Sequence, residues 1–146
     1  MPGKVENYDF FCVDYAKRLA DAVSEEVRSR KVTPRDFEKA VTECLEVLEH
    51  DGVYAFLLYM TWREFSGTEV ERRVYSKLDS LLVGKKGADS LLRLGEIGLP
   101  GAESPAPLDL GRELSEDLDS LLFAKDLLER TLIYARYHAK GMASEE

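Results

Sequence analysis

The sequence predicts an all-α protein, a single-domain helical bundle of five to six helices with a long central C-terminal helix. Apolar residues recur mostly at steps of three and four, the spacing that places them on one face of a helix. The 10 glycines and 5 prolines cluster outside these periodic segments, where they mark turns. A chain of 146 residues buries a core without help from a disulfide or a metal, so we expect one domain over residues 1–146.

The composition is that of a soluble protein with an acidic balance. Hydrophobic residues make up 45% of the chain and charged residues 33%, with a formal net charge of −8. The chain does not open with a basic region followed by an apolar stretch, and no window approaches the roughly 20 apolar residues of a membrane span. We therefore expect a cytoplasmic protein without membrane contact. Cys12 and Cys44 are too few for a disulfide framework, and we treat both as reduced.

Helix boundaries are well marked in the first third of the chain. The first helix is predicted over residues 7–30, with Asn7 as its cap. Thr33, followed by proline and then by an aspartate three residues on, is typical of a helix start. This second helix should end near His50, because an aspartate and Gly52 provide a left-handed exit.

The third and fourth predicted helices follow directly. Residues 53–65 are apolar almost all round, which predicts a helix in the core. Thr68 and Glu71 have the spacing of a capping box and open the fourth helix, which Gly84 closes. Residues 85–87 are read as a basic turn.

The second half of the chain contains a predicted loop and the longest helix. We expect a short helix over residues 88–94 and a mobile loop over about 95–111, which holds several glycines and prolines. The last helix should start at Asp109 or Glu113 and end near Lys140, with leucines and alanines at alternating four- and three-residue intervals.

No pattern supplies a nucleophile with its base, a metal cage or a phosphate cradle, so we expect no enzyme activity, no metal and no cofactor. His50 at a helix end and His138 among surface residues are interpreted as structural. One enzymatic alternative stays open. Glu43, Glu46 and Glu49 resemble the acidic ladder of an all-α Mg²⁺-dependent nucleotide pyrophosphohydrolase, but positions three and six apart spread over a helix surface instead of converging.

Uneven charge is the most informative feature of the sequence. Three stretches of this acidic chain carry cations with no acid among them, and the third also contains two tyrosines and a histidine. Cations contact phosphate oxygens and aromatic rings stack on unpaired bases, so these stretches favour RNA contact; the structural alternative is that cations near helix C-termini offset the helix dipole. The candidate RNA-binding residues are Arg28, Arg30, Lys31, Arg35, Lys85, Lys86, Arg130, Arg136 and Lys140.

Three segments resemble the small helical subunit of the Cmr-type (type III-B) CRISPR effector complex, the fifth Cmr protein family. Residues 14–16 with the valine-acid rhythm of residues 23–27 are similar to the family's opening helix. Residues 52–59 are similar to its glycine-containing turn before an Ala-Phe-Leu helix, and residues 121–142 to its closing leucine-rich helix with aromatic and basic residues. The matching positions of that last helix are Ala124, Lys125, Leu128, Tyr134, Arg136, Tyr137, Ala139 and Lys140.

The resemblance implies a non-catalytic subunit that stacks in several copies inside a ribonucleoprotein. Such a subunit would line the channel in which guide RNA pairs with target RNA and would touch a backbone-forming Cmr subunit. Its cations would meet phosphates, and guide pairing would read the sequence. The small subunit of the Csm-type complex is similar in length and helix content and stays an alternative.

A helical protein–protein adaptor is a further alternative. Phe123, Leu127 and Tyr134 fall on the side of the last helix opposite its leucine seam. We favour a central helix that buries both sides, whereas an adaptor would expose these three side chains as an apolar patch.

Overall fold

The computed structural model describes residues 8–144, and within that range the chain contains helices and no strand. The all-α prediction is confirmed, including the long C-terminal helix. Asn7, the predicted cap of the first helix, lies outside the described residues. The helices are α1 (Tyr8–Arg28), α2 (Pro34–Asp51), α3 (Val53–Ser66), α4 (Glu69–Leu82), α5 (Pro107–Leu114) and α6 (Leu118–Ser144), with a 3₁₀ turn at Leu91–Arg93 between α4 and α5.

The predicted starts of α2 and α4 are confirmed. At α2 the Asp36 amide donates to the Thr33 hydroxyl at 3.2 Å, and the Thr33 amide donates to the Asp36 carboxylate at 2.9 Å. Thr68 and Glu71 repeat the same exchange at α4. Each box supplies partners for amide groups that the first turn of a helix leaves free.

Gly52 separates α2 from α3 as the sequence predicts. Its φ of +94° is left-handed backbone that other residues adopt only with strain. Its amide donates to the Leu48 carbonyl at 3.1 Å, which closes α2 while α3 begins at the next residue.

The long helix α6 lies between α1 and α2. It runs parallel to α1, because the rings of Tyr8 and Phe123 meet at 4.9 Å near the helix starts and Ser24 approaches Met142 at 3.9 Å near the ends. It runs antiparallel to α2, since Lys140 pairs with Glu38 at 3.2 Å. One end of the bundle therefore combines the last turns of α1 and α6 with the first turns of α2.

The remaining helices form a second layer. α3 packs against α2 and α4, and α5 packs on α3. Gly111 permits that last contact, because a Cβ there would lie 2.7 Å from a methyl carbon of Leu57. α4 runs antiparallel to α1, with Arg73 near Glu26 at 3.3 Å. Within residues 8–144, no helix is long and apolar enough to cross a membrane.

Several predicted boundaries were wrong. α1 ends at Arg28, before Arg30, whose φ of +61° leaves the helical region. The predicted helix over 88–94 is only a 3₁₀ turn, and the loop predicted over 95–111 is shorter because α5 starts at Pro107. The last helix starts at Leu118 rather than at Asp109 or Glu113. The Ser115 amide makes the last regular α-helical bond of α5, to the Gly111 carbonyl at 3.1 Å. The next two amides, of Glu116 and Asp117, donate only three residues back, to Glu113 and Leu114 at 3.2 Å each, which ends the helix.

Candidate nucleic-acid interface

The first cationic stretch is the most accessible one. Arg28, Arg30, Lys31 and Arg35 are all exposed, and they follow the chain from the end of α1 through the turn into α2. Among residues 8–144, none of the four forms an ion pair. Arg35 lies in the first turn of α2, where the helix dipole disfavours a cation. The dipole alternative therefore does not account for Arg35.

The structure divides the third cationic stretch between two sides of α6. Lys140 faces α2, where it pairs with Glu38, and Arg136 is half-buried with its Nε unpartnered. Arg130 lies on the α1 side and contacts Asp9 at 3.5 Å and Asp126 at 3.1 Å. These three cations do not form one patch.

Parallel packing of α1 and α6 brings the first stretch together with part of the third. The turn after α1 and the last turns of α6 lie at the same end, as the Ser24–Met142 contact shows. Lys140 reaches Glu38, one turn from Arg35. We call this group the cationic end of the bundle. It consists of Arg28, Arg30, Lys31, Arg35, Arg136 and Lys140.

The second stretch lies elsewhere. Lys85 and Lys86 are exposed in the turn after α4, close to Asp89, which contacts Arg18 in the middle of α1 at 3.0 Å. Arg18 and Arg28 are separated by ten helical residues, or about 15 Å. Lys85 and Lys86 are therefore not part of the cationic end.

Asp79, which lies near this turn, has a carboxyl group with a raised pKa. Burial raises the pKa of Asp79 to about 6, and the nearby Glu64 carboxylate acts in the same direction while Lys85 opposes it. The folded protein thus binds this proton more tightly than the unfolded chain does. Its contribution to stability is present below about pH 4 and is lost as the pH rises through about 6.

The substitution Asp79→Asn should therefore stabilise the protein at neutral pH. We expect a gain of about 2 kcal/mol in the free energy of unfolding at pH 8, and a difference close to zero at pH 4. Urea unfolding of both proteins across this pH range measures the difference, and the titration of carboxylates that do not interact with Asp79 cancels. A variant less stable than the wild type at pH 8 would contradict the prediction.

Aromatic side chains line an open hollow between α1 and α6. We call it the tyrosine hollow; its volume is about 500 Å³. The Tyr134 hydroxyl donates to Asp9 at 2.7 Å, whereas Tyr137 is 64% exposed. The sequence singled out two tyrosines and a histidine here, but not the residues that complete the hollow. Its lining is Val13, Tyr134, Tyr137, His138, Gly141 and Met142.

The acidic ladder of α2 does not form a carboxylate cluster. Glu43 pairs with Arg63 at 2.8 Å and accepts a hydrogen bond from the Tyr59 hydroxyl at 2.6 Å, whereas Glu46 and Glu49 are exposed. The described part of the chain holds no group of three His, Cys, Asp or Glu side chains arranged to bind a metal. The sequence pattern missed the Arg63 contact, because the partners lie on different helices.

The last helix is covered on both sides, as the favoured prediction expects, and the alternative adaptor surface on it is not exposed. Leu127 is 1% exposed, and Phe123 and Tyr134 pack half-buried against the core because α1 covers that side of α6. A different apolar surface faces solvent on α3, where side chains at four- and three-residue spacing are 47%, 56% and 74% exposed. We call it the apolar strip of α3, and it consists of Leu58, Trp62 and Phe65.

The resemblance to the Cmr-type small subunit stays a prediction that rests on the residues quoted for it. No protein family, curated protein or solved structure matches this chain.

Proposed function

We propose that the chain is a non-catalytic, RNA-contacting structural subunit of a CRISPR RNA-targeting effector complex, of the kind that the Cmr-type small subunit represents. The observation that carries the proposal is the cationic end. Four of its side chains are exposed without an ion pair in the described range, although the chain as a whole carries a net charge of −8. Segregated cations of this kind bind phosphates independently of sequence.

The division of labour follows from these contacts. Flexible arginine and lysine side chains at one end of the bundle bind phosphate oxygens, which fixes the position of an RNA backbone. Base pairing between guide and target selects the sequence, so the subunit itself needs no base-specific hydrogen bonds. The overall negative charge weakens binding by the isolated chain, and neighbouring subunits would add cations along the RNA.

The apolar strip of α3 supports the subunit part of the proposal. Three large apolar side chains exposed at helical spacing favour a protein neighbour over free solvent. The adaptor alternative would use the same strip of α3 in place of the surface that the sequence offered on α6. The two functions differ in whether RNA is bound as well.

Purification of the tagged chain from its native host tests the proposal. We expect short guide RNAs to be recovered together with large CRISPR subunits, including a backbone-forming one. In the double variant Arg28→Gln/Lys31→Gln, affinity for guide–target duplex in the complex should fall about tenfold, and the dependence of log K on log salt should become shallower by roughly 1 to 2.

The control is Arg112→Gln/Lys125→Gln, which removes the same charge away from the cationic end. This variant should keep nearly wild-type RNA affinity and salt dependence. Recovery of protein partners without RNA would favour the adaptor instead, and recovery of neither would refute membership of such a complex.

A further inference from the structure

The tyrosine hollow has the features of a binding site that no described residue occupies. Tyr137 is 64% exposed and Val13 is 46% exposed, so an aromatic ring and an aliphatic side chain face solvent across the seam between α1 and α6. Met142 and Gly141 close the hollow toward the end of α6, where glycine leaves room beside the Tyr137 ring. A volume of about 500 Å³ lies in the range of small-ligand sites.

Among the described residues, unpaired cations lie beyond the Met142 end of the hollow. At the Tyr134 end, Arg130 is one helical turn away on α6 and is held by Asp9 at 3.5 Å and Asp126 at 3.1 Å. At the other end Met142 contacts Ser24 at 3.9 Å, and Arg28 follows one helical turn later, roughly 6 Å along α1. The cationic end therefore begins just beyond the side of the hollow that Met142 closes.

The remaining charges around the hollow are neutralised in place. Asp9 holds both the Tyr134 hydroxyl, at 2.7 Å, and Arg130, at 3.5 Å. On α1, Lys17 is one turn beyond Val13 and pairs with Asp21 at 3.0 Å. The hollow itself thus presents an uncharged aromatic surface, and Arg28 beyond its Met142 end forms no ion pair within the described residues.

We propose that the tyrosine hollow binds one unpaired nucleobase, stacked on the ring of Tyr137, while the strand continues to the cationic end, where its phosphates bind Arg28 and Lys31. Every base has a π-face, so such a site accepts any sequence and adds affinity for single-stranded RNA. A paired base is covered by its neighbours in a duplex and does not enter. The inference rests on the proposed function and assigns the unpaired strand to a specific place beside the cationic end.

The charge pattern favours RNA over a protein side chain as the occupant. An apolar side chain of a partner fills the hollow equally well, but it makes no use of the cations, unpaired among the described residues, that begin at Arg28, beyond Met142. A nucleotide strand places a base in the apolar hollow and its phosphates beside the cations, so it makes use of both the hollow and the cations.

Two RNA probes of about 10 nucleotides test the site on the full chain at low salt. One is a single-stranded oligouridine with a central 2-aminopurine, whose fluorescence falls when the base stacks, and the other is a duplex of the same length. Tyr137→Ala should weaken single-strand binding about tenfold, abolish the fluorescence change and leave duplex binding unaltered. Tyr137→Phe, which keeps the ring, should bind like the wild type.

Phe65→Ala is the matched control, because it removes another exposed aromatic ring from the apolar strip of α3. It should alter neither probe. If Arg28→Gln/Lys31→Gln weakens both probes but Tyr137→Ala weakens neither, the base site is refuted while the proposed function stands. If the wild-type chain binds neither probe, the base site is refuted, and the purification from the native host decides the proposed function separately. Loss of a protein partner in Tyr137→Ala, with unchanged binding of the single strand, would assign the hollow to a protein side chain and also refute the base site.

Discussion

Replacing Arg93 by methionine should lower the free energy of unfolding by about 3–5 kcal/mol. The Arg93 side chain is buried and donates hydrogen bonds to four carbonyls, at 2.7–3.0 Å. Methionine fills much of the same volume but donates nothing, so buried carbonyls lose their partners. Urea unfolding followed by circular dichroism measures the change.

The four acceptors explain the size of this effect. Two of them, at Val83 and Gly84, follow the end of α4, and two, at Ala102 and Ser104, belong to the loop before α5. Arg93 thus joins the end of a helix to a loop without regular secondary structure. Among residues 8–144, only the Val83 carbonyl retains another side-chain donor, the Ser90 hydroxyl at 2.9 Å.

Two control variants separate hydrogen bonding from charge at this site. Arg93→Lys keeps the charge but lacks the planar fork, so it should recover only part of the lost stability. Arg112→Met removes an arginine whose side chain is 73% exposed, and it should change stability by less than about 0.5 kcal/mol. A loss below about 1 kcal/mol in Arg93→Met would contradict the structural role of the guanidinium.

Arg63→Met should be the next most damaging change, with a loss of about 2–3 kcal/mol. Arg63 is 17% exposed and its Nη2 lies 2.8 Å from both Glu43 and Glu71, which connects α3 to α2 and to α4. Without the guanidinium, two partly buried carboxylates lose their shared cation and keep, among the described residues, only the hydrogen bonds from the Tyr59 hydroxyl to Glu43 and from the Thr68 amide to Glu71. The same unfolding assay measures the loss.

The matched control is Arg73→Met. Arg73 also contacts two carboxylates, Glu26 at 3.3 Å and Glu69 at 2.9 Å, but its side chain is 30% exposed and Glu69 is 79% exposed. Solvent screens such pairs, so the loss should stay below about 1 kcal/mol. Equal losses in the two variants would show that burial does not set the strength of the Arg63 pairs.

The parts of the fold that follow from neighbouring residues were predictable. The capping boxes at Thr33 and Thr68 and the left-handed exit at Gly52 depend on groups within three or four positions, so the sequence alone determined them. The all-α class follows in the same way from helical periodicity. The break between α5 and α6 was missed because leucines at 114 and 118 continue the pattern across it.

The candidate site was only partly predictable. The sequence identified the cations and the interleaved tyrosines, but their grouping depends on which helix ends meet. Parallel packing of α1 and α6 brings the first stretch close to Lys140, whereas Arg130 lies on the other side of α6. Lys85 and Lys86 remain apart because the turn after α4 lies near the middle of α1.

Local side-chain chemistry, through caps, glycines and apolar periodicity, was thus enough to define helices and to mark candidate residues. Only the tertiary structure decided which of those residues share a surface, where the tyrosine hollow opens and how Arg63 and Arg93 find their partners. These contacts join residues far apart in the chain, and their geometry is set by how whole helices pack, which no local pattern specifies.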